Sequence, residues 1–145
     1  MIVPVARNWI GTPYRHQMSV KGVGCDCVGL VRGVWREVYG FDACATPVYT
    51  PDWAEVGAEE RLIEGLGRFL TAVPVAEAEP GDVLVFRMKP GAVAKHTAIL
   101  SEGSVAEARA KIVHAYWGHA VVESWLGPFW KRHVVAGFKY PEHQK

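Results

Sequence analysis

Gly24-Cys25-Asp26-Cys27-Val28-Gly29-Leu30-Val31 decides the fold of this chain, because it places a cysteine at the mouth of an apolar helix. Val31, Val34, Trp35 and Val38 recur at helical spacing and Gly40 supplies a stop, predicting a helix from Cys27 to about Tyr39. Asp26 is a good N-cap residue, which puts Cys27 in the first turn. There a thiol sits beside unpaired amides at the positive end of the helix dipole, so its thiolate is expected to be favoured. Thiolates attack carbonyls, and neighbouring amides hold the oxyanion that results. Gly29 and Gly33 lie one turn apart and leave a bare strip along which other backbone can approach. Taken alone, Cys27 reads more readily as a small buried hydrophobe than as a nucleophile.

Working outward, the period of the chain changes part-way along. Met1 to Trp9 has apolar positions Val3, Val5, Ala6 and Trp9 and predicts a short first helix. Gly11-Thr12-Pro13 breaks it, and Tyr14 to Gly24 reads as a loop. Thr46 to Trp53 is irregular, and Ala58 to Leu70 predicts an amphipathic third helix through Leu62, Ile63, Leu66, Phe69 and Leu70. Ala72 to Pro80 reads as a linker. Beyond it, residues 82–88, 96–101, 110–116, 120–124 and 133–140 are short β-branched or aromatic runs bounded by Gly and Pro. Helices first and strands later predict an α+β fold with an antiparallel sheet, formed as one domain over residues 1–145.

Composition narrows the function. The chain has 145 residues, half of them hydrophobic and six of them tryptophan, enough to bury a core. Its net charge is +1 with histidines neutral, which gives no electrostatic grip on nucleic acid or anionic lipid. Three cysteines, two of them adjacent but one, suit a reactive thiol made in a reducing compartment better than a disulfide framework. Cys-x-Cys lacks the spacing and the second pair of a structural zinc site, so no metal and no cofactor are expected. No apolar run approaches the ~20 residues that span a bilayer, and Pro4 and Arg7 interrupt any secretory pattern, so neither membrane insertion nor an export signal is expected. Gly22-Val23-Gly24 lacks the third glycine of a dinucleotide loop, since that position is Cys27.

Trp9-Ile10-Gly11-Thr12-Pro13-Tyr14, followed by Gly24 to Val31, resembles the opening signature of the NlpC/P60 cysteine peptidases, which cut peptide stems of bacterial cell walls. Pro80-Gly81-Asp82-Val83-Leu84-Val85-Phe86, His96-Thr97-Ala98-Ile99-Leu100 and Ile112-Val113-His114-Ala115 continue it, so the ordered blocks cover nearly the whole chain. The similarity is greatest to short, single-domain members encoded with phage tails and gene transfer agents.

The resemblance implies a papain-like fold in which a nucleophile helix packs on the sheet. It implies Cys27 as nucleophile, His96 as base and His114 as the residue that orients His96 by accepting its ring N–H. By sequence alone, each of the six histidines reads as a surface or structural residue, although alternation along two predicted strands allows His96 and His114 to share a face. Tyr14 stands where the family has an active-site tyrosine that serves substrate or oxyanion. Asp26 has two compatible roles, helix cap or carboxylate for the substrate's free amine. Val28 occupies the place where many members carry a serine that helps recognise the stem peptide.

The expected activity is a cysteine endopeptidase acting on peptidoglycan stem peptides, at the bond between D-glutamate and a diamino acid. Two rivals stand beside it: a tail-tip structural module with little catalysis, and an amidase or acyl-transferase using the same triad. The resemblance also implies delivery. The chain would be made in the bacterial cytoplasm, carried at a virion or gene-transfer-agent tail tip on a hub or baseplate protein, and act in the periplasm or wall. Trp125, Phe129 and Trp130 form a candidate docking patch, with a core role the alternative.

Overall fold

The computed structural model describes residues 1–43, 61–87 and 96–141. Thr46 to Trp53 and the start of the third helix at Ala58 lie outside the described residues, as does Cys44. In chain order the elements are α1 (Ile2–Arg7), β1 (Ser19–Val20), β2 (Gly24–Cys25), α2 (Cys27–Tyr39), α3 (Arg61–Gly67) and β3 (Thr71–Val73). A 3₁₀ turn at Val75–Glu77 leads into β4 (Val83–Phe86), β5 (His96–Glu102), β6 (Lys111–Ala115), β7 (Val121–Trp125), α4 (Pro128–Lys131) and β8 (Val134–Lys139).

The helix α2 begins and ends for the reasons its sequence supplies. Asp26 is its N-cap, accepting the Gly29 amide at 2.8 Å, and Gly40 ends it in the left-handed region at φ 86°. Leu30, Val31 and Val34 on its buried face pack on Val83, Val85, Ile99 and Val113 of the sheet. Full burial of each such side chain contributes roughly 1.5–3 kcal/mol. The bare strip is filled closely: a Cβ on Gly29 would stand 2.0 Å from the Met18 carbonyl oxygen, and one on Gly33 would stand 2.2 Å from the Trp9 ring. Gly33 thus lets α1 and its following turn lie on α2, with Ala6 and Trp9 buried between them.

Among the described residues the main sheet has six antiparallel strands in the order β3-β8-β4-β5-β6-β7. Its central strands, β4 and β5, are buried on both faces. One face carries the cluster under α2. The other carries Leu84, Phe86, Ala98, Leu100, Ile112 and Leu126, with Trp130 of α4 laid against it. The Tyr140 hydroxyl donates to the Val31 carbonyl at 2.8 Å, tying the end of the sheet to the middle of α2. The buried Asp82 of the Pro80-Gly81-Asp82 turn accepts from the Glu79 amide and the Lys139 ammonium. That block of sequence therefore builds the entry to β4 rather than the site.

Four short elements escape the sequence reading. The segment read as a linker holds β3, which pairs with β8. The loop from Tyr14 to Gly24 contains the small β1–β2 ladder, and α4 lies between β7 and β8. Each is four residues or fewer, too short to show a period.

Candidate active site

The site is assembled at the N-terminus of α2 and the adjoining end of the sheet. Side chains alternate along β5: Ile99 turns toward α2, while Ala98 and Leu100 turn toward the second cluster. Cys27 meets this strand at Thr97, whose side chain and backbone both approach the thiol. The Thr97 hydroxyl is buried and has no hydrogen-bond partner among the described residues. His96, the residue before Thr97, alternates to the other face of β5, against Phe86 and Trp130.

His96 and His114 share a face, as alternation allowed. His96 Nε2 lies 2.9 Å from His114 Nδ1, and His114 Nε2 lies 3.1 Å from the Ser124 hydroxyl on β7. Aromatic rings enclose the pair. Trp130 stacks on His96 with centroids 5.4 Å apart and meets His114 edge-on at 5.1 Å, and Phe86 and Tyr116 close the sides. The burial has an electrostatic result. Desolvation, with a contribution from His114, lowers the pKa of His96 to about 3, and desolvation alone lowers that of His114 to about 4. Both rings are therefore neutral near pH 7.

The thiol corrects one expectation. Burial, with the Asp26 carboxylate as a second cause, pushes Cys27 up to about 11, although Thr97 and the Val28 amide pull it down. The amides at the helix mouth do favour the thiolate, as Cys27's position implied, but desolvation outweighs them. The resting state thus holds a neutral thiol and neutral imidazoles. Cys25 is fully buried in β2 and pushed up to about 12, chiefly by burial, so it is the less reactive of the two described thiols.

Tyr14 is held by backbone on both sides: it bridges Cys25, and its amide donates to the His119 carbonyl at 3.0 Å. Burial raises its phenol, with smaller contributions from Cys27, Asp26 and Cys25, so the ring stands within electrostatic reach of the thiol. Asp26 is buried, and its carboxylate accepts from backbone amides. One carboxylate oxygen accepts from Gly29 and the other accepts from the Gln17 amide at 2.7 Å, with His16 Nδ1 at 3.8 Å. The cap role is thereby explained in full. His119 stacks on Tyr116 at the β6–β7 turn, and His133 Nδ1 contacts the Phe129 carbonyl. Among the described residues no group of three or more His, Cys, Asp or Glu has the placement of a metal site.

Trp130 of the suspected docking patch belongs instead to the enclosure of His96, while Trp125 and Phe129 are about half exposed. Thr97, Ser124 and Trp130 were not singled out as site residues from sequence. Thr97 follows His96 directly, and Ser124 ends a run read as a strand, but only the pairing of β6 with β7 brings Ser124 to His114.

The sequence profile of the NlpC/P60 family matches residues 11–139 of this chain. The chain belongs to the NlpC/P60 family. Among solved structures, the NlpC/p60 domain of the peptidoglycan hydrolase SagA is 26% identical, aligns over 95% of each chain and superposes with a TM-score of 0.62. An NLP/P60 family protein described as similar to lipoprotein, from Staphylococcus aureus subsp. aureus Mu50, is 20% identical over 97% of this chain, with a TM-score of 0.65. An NlpC/P60 family protein from Bacillus cereus ATCC 10987 is 17% identical over 96%, with a TM-score of 0.64. These last two share the fold, and this chain spans 40% and 39% of their lengths. No curated relative matches. The α+β arrangement of helices on an antiparallel sheet is thus the NlpC/P60 fold, as the ordered sequence blocks implied.

Proposed function

We propose that this NlpC/P60 chain is a cysteine peptidase that hydrolyses peptide stems of bacterial peptidoglycan. The observation that carries the reading is the 2.9 Å contact between His96 Nε2 and His114 Nδ1, made at the start of the strand that meets Cys27 at Thr97. A cap residue, a buried thiol and a paired imidazole are the parts a thiol hydrolase needs.

In this reading His96 donates its Nε2–H to His114, which leaves Nδ1 of His96 as the basic nitrogen. As Cys27 Sγ attacks the scissile carbonyl carbon, its proton passes to that Nδ1, and the carbonyl π electrons move to oxygen. The Cys27 amide at the helix mouth donates to the oxyanion. Collapse expels the amine, which takes the proton from His96 and leaves a thioester. Water then attacks the thioester with His96 as base, releasing the acid and restoring the thiol. Tyr14 contributes a hydroxyl to substrate or oxyanion. The raised thiol and lowered imidazole favour a proton transfer that accompanies the attack over a preformed ion pair.

The finer assignments rest on resemblance. The scissile bond would join D-glutamate to a diamino acid. The protein would ride at the tip of a phage-like tail, docked on a hub or baseplate protein, and reach the wall from outside. Incubation with purified peptidoglycan tests the activity: mass spectrometry should show new stem fragments with the intact protein and none with Cys27→Ala. Fragments bearing a new N-terminus on the diamino acid would support the bond assignment. Undigested peptidoglycan with both proteins refutes the peptidase reading.

A further inference from the structure

A hydrogen-bonded imidazole pair has two proton registers, and only one leaves a usable base. In the first, His96 Nε2 carries the proton and His114 Nδ1 accepts it; a neutral ring has only one N–H, so His114 carries its proton on Nε2. In the second, His114 Nδ1 donates, and His96 carries its own proton on Nδ1, where it blocks acceptance from the thiol. A group that accepts from His114 Nε2–H therefore favours the competent base.

That group is Ser124. It stands on β7 opposite Ile112, with Val122 opposite His114, so Ser124 is the diagonal neighbour of His114 on the same sheet face. Its hydroxyl oxygen lies 3.1 Å from His114 Nε2. His114 itself is buried to 1% exposure, which makes this contact the outlet for a buried ring nitrogen. Ser124 is half-buried on an edge strand of the sheet, so its own proton can turn toward water while its lone pair accepts. The imidazolium formed after proton transfer makes the same demand: both His96 nitrogens then donate, His114 Nδ1 must accept, and His114 Nε2–H again needs an acceptor.

We propose that Ser124 is a positioning residue that accepts from His114 Nε2–H and thereby holds His96 with its Nδ1 free to take the thiol proton. The proposal rests on the roles given above to Cys27, His96 and His114. It extends the relay by one member, from imidazole to imidazole to hydroxyl.

Ring-nitrogen NMR of the full chain labelled with ¹⁵N-histidine reads the registers directly near pH 7. The expected spectrum shows both His96 and His114 as Nε2–H tautomers. Ser124→Ala should mix the His114 tautomers and lower kcat on a soluble stem peptide about tenfold, the factor expected from one lost net hydrogen bond, with KM nearly unchanged. Ser124→Thr, which keeps the hydroxyl, should restore the spectrum and the rate. A His114 Nδ1–H signal in the unmodified protein overturns the proposal, as does a wild-type spectrum or wild-type kcat in Ser124→Ala. If the unmodified protein cleaves no stem peptide, the peptidase reading has failed, and the tautomer patterns of the unmodified, alanine and threonine proteins still decide the part played by Ser124. Should Ser124→Ala not fold, the unmodified and threonine spectra decide it.

Discussion

Gly29→Ala tests how the nucleophile is held. Its Cβ would stand 2.0 Å from the Met18 carbonyl oxygen, where an ordinary carbon–oxygen contact is about 3.3–3.6 Å, so helix and loop must separate by on the order of 1 Å. The obstructing atom is backbone and cannot rotate away. That carbonyl also accepts the Asp26 amide at 3.2 Å, and the Gly29 carbonyl accepts the Ser19 hydroxyl at 2.6 Å. Overpacking of this kind costs about 1–3 kcal/mol, and each strained hydrogen bond adds about 0.5–1.5 kcal/mol. Alanine returns about 1 kcal/mol of helix propensity. The net expectation is about 2 kcal/mol of destabilisation, which for a chain of this size lowers Tm by roughly 4–8 °C. Urea unfolding at pH 7 measures the first quantity and a thermal melt the second. Catalysis should fall further than stability does, because the displaced loop carries Gln17, whose amide holds the Asp26 cap immediately before Cys27. Gly40→Ala serves as the comparison: φ is 86° and nothing lies within 4 Å, so it should cost about 1–2 kcal/mol through backbone strain and leave the site alone. Unchanged or increased stability in Gly29→Ala would refute the close approach of loop to helix.

Other expectations follow from the buried imidazoles and thiols. His96→Ala should remove the base and cost about 10²–10⁴-fold in rate, while His114→Asn should retain more activity than His114→Ala; equal rates for those two would contradict the orienting role. Acid should destabilise the fold. Both histidines ionise near pH 6.5 when unfolded but only near 3 and 4 when folded, so stability is complete above 6.5 and is lost as pH falls below it. The slope is about 1.4 kcal/mol per pH unit for each histidine, and urea midpoints at pH 7.5 and 5 that coincide would contradict it. Iodoacetamide should modify Cys27 before Cys25, since Cys27 is 7% exposed and Cys25 is fully buried with the higher pKa. Peptide mapping with Cys25 labelled first would reverse that order.

The legible parts of this fold were those with a period or a punctuating residue. The helix α2 was bounded correctly at both ends because Asp26 and Gly40 each perform one local task that their side chains, or lack of one, dictate. β4 to β8 were legible as β-branched runs, and burial of β4 and β5 on both faces explains why Val83 to Phe86 shows no alternation at all. The pairing of His96 with His114 was accessible through alternation plus the resemblance, since it needs only that β5 and β6 be neighbours. The roles of Ser124, Thr97 and Trp130 were not accessible. Each depends on strand register or on the packing of α4, which are properties of tertiary contact and leave no mark on the spacing of a single sequence.

The thiol's protonation state shows the same division between local and tertiary causes. The helix N-terminus with its Val28 amide is a local feature, and it pulls the Cys27 pKa down. Burial under the sheet is a tertiary feature, and it prevails. Enclosure by Phe86, Trp130 and Tyr116 acts on the histidines in the corresponding direction, holding them uncharged. In so dry a site separated charges are costly before substrate arrives, whereas each transferred proton is well placed once a carbonyl is present to accept the sulfur's electrons. Neutral His114 offers His96 no compensating negative charge, so the imidazolium depends on oriented acceptors instead. That places the demand on a relay with a fixed direction, from His96 through His114 to the hydroxyl of Ser124.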